Sequence, residues 1–115
     1  MKMTSNNCEI YFDDTNNNLF FIGVLRSNDF EEFEKIKNFI LDTYDLETSE
    51  LILNFSKLEF MNSAGISTLC RFVLEAKEMT DPKPIKIIGN KEILWQVKSF
   101  ENLKKIWDYI ILEMI

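Results

Sequence analysis

Among the side chains able to do chemistry, Asn62 and Ser63 stand out in the run Met61-Asn62-Ser63-Ala64-Gly65-Ile66. Either the Asn62 amide oxygen or the Ser63 hydroxyl can accept a backbone N–H from the first turn of a helix, where such donors lack an intrahelical partner. If Ser63 is the cap, Ser63→Ala costs about 1 kcal/mol. Gly65 falls just inside that helix, where glycine costs up to about 1 kcal/mol relative to alanine, so it points to close approach of another element or a partner. As a nucleophile Ser63 would need a base, and the chain has no histidine. That removes the commonest general base, the usual nitrogen ligand for zinc and every Ser-His or Cys-His pair. The two cysteines, Cys8 and Cys70, are far apart and form neither a CxxC pair nor a four-ligand zinc site. No GxxxxGK[ST] or GxGxxG occurs, so nucleotide binding has no motif behind it. Most enzyme classes are therefore poor expectations, an enzyme is the reading ranked last, and no cofactor or metal is expected.

Composition narrows the partners. The 115 residues are 46% hydrophobic and 28% charged, which predicts one packed domain over residues 1–115. Thirteen basic against nineteen acidic residues leave a net charge of −6, which argues against direct nucleic-acid binding and against an anionic membrane surface. The polar start Met1–Asn7 is no signal peptide, no apolar run approaches the roughly 18 residues of a membrane span, and free thiols suit a reducing compartment. The expected location is the cytoplasm. An acidic protein is steered towards a basic patch on a partner.

The elements that must position Ser63 follow from periodicity. Cys8 to Phe12 and Leu19 to Leu25 read as strands joined by the turn-rich Asp13–Asn18, an N-terminal hairpin. Ser27-Asn28-Asp29 supplies capping oxygens, with Asn28 and Glu31 at capping-box spacing, and Phe30, Phe33, Ile36, Phe39 and Ile40 give a helical stripe over about 29–44. Leu51 to Phe55 reads as a central strand, and Ser56 to Met61 as an irregular connection. A second helix starts at Ser63, with Ile66, Leu69, Cys70 and Val73 on one stripe, and stops before Asp81-Pro82-Lys83-Pro84. Ile85 to Gly89 is a strand, Lys91 to Val97 a helix and Tyr109 to Leu112 a last strand. The order β-β-α-β-α-β-α-β predicts an α/β fold with a mixed, mainly parallel sheet. In such sheets sites gather where strands hand over to helices, which is where Ser63 lies.

The stretch Leu51–Ile66 resembles the signature of the STAS domain of anti-sigma factor antagonists: an apolar strand ending in Asp or Asn, a short loop with apolar anchors, then a Ser/Gly helix start. Trp95–Leu103 is similar to a branch of stand-alone STAS regulators carrying Asn-Ser-Ala/Ser-Gly. The resemblance implies a STAS-like sheet with helices packed against it and a phosphorylation-controlled protein-binding switch. In it Ser63 is the acceptor of a serine kinase that doubles as an anti-sigma-type partner. A PPM-type phosphatase removes the phosphate, and the unphosphorylated form captures the partner through Met61, Asn62, Ser63, Ala64, Gly65, Ile66 and Ser67. Asn62 stands where aspartate is usual and Ala64 where a second serine is usual. The alternative is a constitutive interaction or oligomerisation module in which Ser63 is only a helix cap.

Other candidates have plainer explanations. Glu31, Glu32 and Glu34 suit a first helical turn facing water. Phe30, Phe33, Phe39 and Phe60 are read as core, since ten phenylalanines in so short a chain must mostly fill its interior. Trp95 and Trp107 are read likewise, and Cys70 as a small buried hydrophobe. Cys8 lies on a possible edge strand, and Asp13 and Asp14 belong to an Asn-rich turn.

Overall fold

The computed structural model describes residues 2–5, 7–46 and 50–115. Its sheet has six strands in chain order: β1 (Lys2–Ser5), β2 (Cys8–Asp13), β3 (Asn18–Leu25), β4 (Leu51–Met61), β5 (Ile85–Gly89) and β6 (Ile110–Met114). The first two pairings are antiparallel and the remaining three parallel. Helices α1 (Phe30–Leu46), α2 (Ser63–Lys77) and α3 (Leu94–Lys104) make the three crossovers. This is the expected mixed, mainly parallel α/β architecture.

Two expectations are corrected. The polar start, where the sequence predicts no strand, contains one: Lys2–Ser5 pairs with β2. The hairpin is therefore a three-stranded meander, and Cys8 sits one strand in from the edge, buried. Pairing with β2 supplies the hydrogen bonds that a four-residue polar segment cannot supply locally. The late helix also runs on, from Leu94 to Lys104, where Phe100 and Leu103 reach the core.

Each right-handed crossover moves one strand along the sheet, so all three helices lie on one face. Burial alternates accordingly. Leu51, Leu53 and Phe55 are fully buried beneath the helices, whereas Ile52, Asn54 and Ser56 on the opposite face are half-exposed. Phe55 sits at the middle of the core, its ring 4.5 Å from that of Phe21 and 4.9 Å from that of Phe100.

Helices α1 and α2 are joined at their outer edge by charge. Arg71 on α2 pairs with Glu34 on α1, and Lys37 on α1 reaches Glu75 at 2.5 Å and Glu34 at 3.3 Å. The Arg71 guanidinium holds the Glu34 carboxyl below its ordinary range, with Lys37 adding to the effect. The charge-rich first turns of α1 are thus partly spent on helix packing: Glu34 is paired and Glu32 accepts from the Ser5 and Ser27 hydroxyls, leaving Glu31 exposed.

Candidate functional site

The approach to Ser63 is set by the irregular half of β4. Against β3 its register shifts twice, between Phe20 and Ile22 and between Gly23 and Val24, and β4 uses one extra residue each time. Burial then changes step, from Leu51, Leu53 and Phe55 at period two to Leu58 and Met61 at period three. Bulges of this kind bend a strand and re-aim its side chains. They explain why Ser56–Met61 looks irregular in sequence although it belongs to the strand. Asn54 turns the first bulge, its Oδ1 accepting from the Ser56 N–H at 3.0 Å and the Ser56 hydroxyl at 2.7 Å.

On its other side β4 pairs with β5 only as far as Asn54. Side chains replace the missing strand. The Gln96 amide, wholly buried, donates to the Phe55 carbonyl at 2.7 Å and the Leu58 carbonyl at 2.8 Å. Its oxygen accepts the Asn90 N–H at 2.7 Å. The Trp95 indole donates to the Glu59 carbonyl at 2.8 Å, and the Asn90 amide to the Ser56 carbonyl at 3.3 Å. The carbonyls of Phe55 and Leu58, which would otherwise be buried unpaired, are satisfied in this way, and the end of β4 is held in place. Trp95 and Gln96 therefore do more than fill the core.

At that end Asn62, and not Ser63, caps α2. Its Oδ1 accepts the Gly65 N–H at 3.0 Å, and its backbone N–H donates to the Leu25 carbonyl at 3.2 Å. Its amide also donates to the Ser27 carbonyl at 3.0 Å, tying the β3–α1 loop to the start of α2. An aspartate could accept from Gly65 but, ionised, would set a carboxylate against the Ser27 carbonyl oxygen. The asparagine is thus explained by the loop it holds. Asp29 plays the corresponding part for α1, accepting the Glu31 N–H at 2.9 Å, so Asp29 rather than Asn28 is the cap there.

Ser63 is left exposed as the first residue of α2, its hydroxyl without a hydrogen bond among the described residues. Ala64 and Ser67 are exposed beside it and Ile66 is half-buried. Met61 (5% exposed) and Gly65 lie beneath this surface. A Cβ on Gly65 would run into the Met61 side chain, so the close approach foreseen for this glycine is to the chain's own Met61. The expected cost of losing a cap moves by one residue. Asn62→Ala is expected to lower stability by about 2 kcal/mol, through the cap and the bond to Ser27, while Ser63→Ala changes it by less than about 0.5 kcal/mol. Urea denaturation of the two variants checks the order.

Beside Ser63 a groove of about 390 Å³ opens between the starts of α1 and α2, lined by Ser27, Asn28, Phe30, Ala64, Ser67 and Arg71 among others. Two aromatic residues read as core prove to be surface residues. Phe30 is 66% exposed with the Arg71 guanidinium 5.2 Å from its ring centre, and Phe60 is 37% exposed with Arg26 at 4.8 Å. Phe33 is buried as expected. Phe30 falls on the helical stripe, but in the first turn of α1 its ring borders the open groove between α1 and α2. The pairing of both of the chain's arginines with exposed phenylalanines was the available sequence signal only in composition, not in spacing.

Other groups offer little chemistry. Burial pushes the Cys8 thiol up to about 11 and also raises that of Cys70, so neither is an activated thiolate. Among the described residues no three His, Cys, Asp or Glu side chains gather to hold a metal, and no helix is long and apolar enough to cross a membrane.

No protein-family model and no curated protein matches the sequence. Solved structures do match, over essentially the whole chain. A chain in the crystal structure of the diguanylate cyclase SiaD in complex with its activator SiaC, from Pseudomonas aeruginosa, aligns with 100% of this chain and 99% of its own at 11% identity and a TM-score of 0.72. SiaC of Pseudomonas aeruginosa aligns over 100% and 98% at 12% identity and 0.68, and apo-SiaC over 99% and 96% at 13% and 0.65. At these identities the likeness establishes the fold.

Proposed function

We propose that this chain is a STAS-type partner-binding regulator without catalysis of its own, switched by phosphorylation of Ser63. The unphosphorylated form docks a protein partner through Ser63, Ala64, Ile66 and Ser67 and the adjoining groove. A serine kinase adds the phosphate and releases the partner, and a PPM-type phosphatase resets the switch. The observation that carries this reading is the division of labour at the start of α2: Asn62 makes the cap, and the Ser63 hydroxyl is free and outward. The constitutive alternative gave Ser63 the capping role that Asn62 fills. Fold likeness supports the regulatory class, because SiaC is described as an activator of the diguanylate cyclase SiaD. A catalytic partner of that kind is the output we favour, with the kinase a second, transient partner.

The chemistry of the switch follows from its place. A phosphoserine carries about −1.5 to −2 charge at neutral pH. At the first residue of α2 that charge meets the positive end of the helix and its free N–H groups, so the helix is kept. The effect is directed outward: bulk and a desolvation cost on a surface that must otherwise close against the partner. Affinity capture from the native host with wild-type, Ser63→Ala and Ser63→Asp baits, read by quantitative mass spectrometry, tests the proposal. Wild type and Ser63→Ala are expected to retain the partner and Ser63→Asp to recover at least tenfold less. Equal recovery by all three baits would remove the switch.

A further inference from the structure

All-parallel sheets are found almost only with both faces covered, and four of the six strands here, β3 to β6, pair in parallel. Here the helices cover one face, and no described element covers the other. The open face carries Tyr11, Phe20, Ile22, Ile52 and Ile88, all half-buried by their neighbours alone, with Tyr11 and Phe20 stacked at 5.0 Å. We infer that this face pairs with the same face of a second copy, sheet against sheet, to form a two-fold dimer with the helices outermost.

The register selects the second copy. One row crosses all six strands as Lys2, Tyr11, Phe20, Asn54, Ile88 and Glu113, and the next runs Asp13, Asn18, Ile52, Lys86 and Ile111. A two-fold axis along the strands, between β3 and β4, lays β1 over the partner's β6 and β2 over the partner's β5. Lys2 then faces the second copy's Glu113, and Asp13 faces its Lys86. Tyr11 meets Ile88, and Phe20 meets Asn54. Each charge on these two rows keeps a contact within its own copy: Lys86 with Glu113, Lys2 with Glu9 and Asp13 with Thr15. Across the layers each faces its opposite, with the apolar residues between. Each contact occurs twice. The strand axes of the two layers are parallel, as aligned sheet packing with its small crossing angle requires, with β1 over β6 in the same sense and β2 over β5 in the opposite one. With strands about 4.8 Å apart and about 3.3 Å per residue, the face measures roughly 25 by 20 Å, about 500 Å² per copy. A pair buries about 1,000 Å², at the lower bound for a specific interface. Ser63 lies at the helix layer and stays accessible, so this inference is independent of the switch.

Sedimentation equilibrium from micromolar to millimolar protein tests it. The wild type is expected to dimerise reversibly. Ile88→Lys and Asp13→Lys should each weaken the dimer at least tenfold while keeping the wild-type circular dichroism spectrum. Adding Lys86→Gln to Asp13→Lys, which removes the facing like charge without setting a carboxylate against Glu113, should recover part of that loss, which a merely misfolded variant would not do. A monomer at every concentration would overturn the inference, whatever else occupies the face. So would a dimer indifferent to these changes, which would pair elsewhere, for instance along the edge of β6.

Discussion

Gln96→Leu is expected to lower stability by about 3 kcal/mol, although leucine is close to glutamine in size and the site is wholly buried. The apolar side chain would gain from burial, yet three backbone groups lose their partner at once: the carbonyls of Phe55 and Leu58 and the N–H of Asn90. Each buried orphan costs about 1–3 kcal/mol, and the gain from the methyl groups offsets part of the sum. The damage falls where β4 has no partner strand on its β5 side beyond Asn54, so the segment leading to Ser63 loosens first. Trp95→Phe removes one hydrogen bond, to Glu59, and keeps a ring, so about 1 kcal/mol is expected there. Urea midpoints at constant m value provide the measurement. A Gln96→Leu variant within 1 kcal/mol of wild type, by that same measure, would mean that the clamp does not hold the strand.

Gly23→Ala is the second large effect, about 3 kcal/mol or more. Gly23 has φ of +105°, outside the range open to a residue with a Cβ. It also lies at the second register shift of β3 against β4, where an added Cβ would strike the carbonyl oxygen of Asn7. That oxygen is itself held, accepting the Val24 N–H at 3.1 Å, so the backbone cannot simply step aside. Gly65→Ala makes the instructive contrast. Its Cβ meets the flexible Met61 side chain and gains helix propensity, so a net cost near 1 kcal/mol or less is expected. Thermal unfolding of the two alanine variants should separate them widely. If Gly65→Ala proves the worse, the strain assigned to β3 is misplaced.

These two positions mark where the sequence stopped being legible. The Trp95-Gln96 run draws notice as part of a family-like segment, but nothing local says that its amide serves two carbonyls some forty residues away. The glycine in Leu19–Leu25 looks like a weak point in a strand; only the approach of Asn7 gives it a purpose. The bulges of β4 are invisible for the same reason. Periodicity reports which side chains share a face, and an extra residue in one strand is defined only against its neighbour.

What the chain determines by itself is local. The alternation of strands and helices, the start of α2 at Asn62-Ser63, its end before the prolines and the absence of histidine chemistry follow from spacing, capping and composition, which act within a few residues. Tertiary structure decided the rest. Two adjacent residues could each cap α2, and the choice fell to Asn62, whose Oδ1 accepts from Gly65 while its Nδ2, a separate atom, donates to Ser27 in the β3–α1 loop. Lys2–Ser5 became a strand because β2 offered an edge, and Phe30 was left exposed because in the first turn of α1 it borders the open groove towards α2. In each case the deciding energy lies between segments distant in sequence, where a backbone group or a ring finds or lacks a partner that no local pattern names.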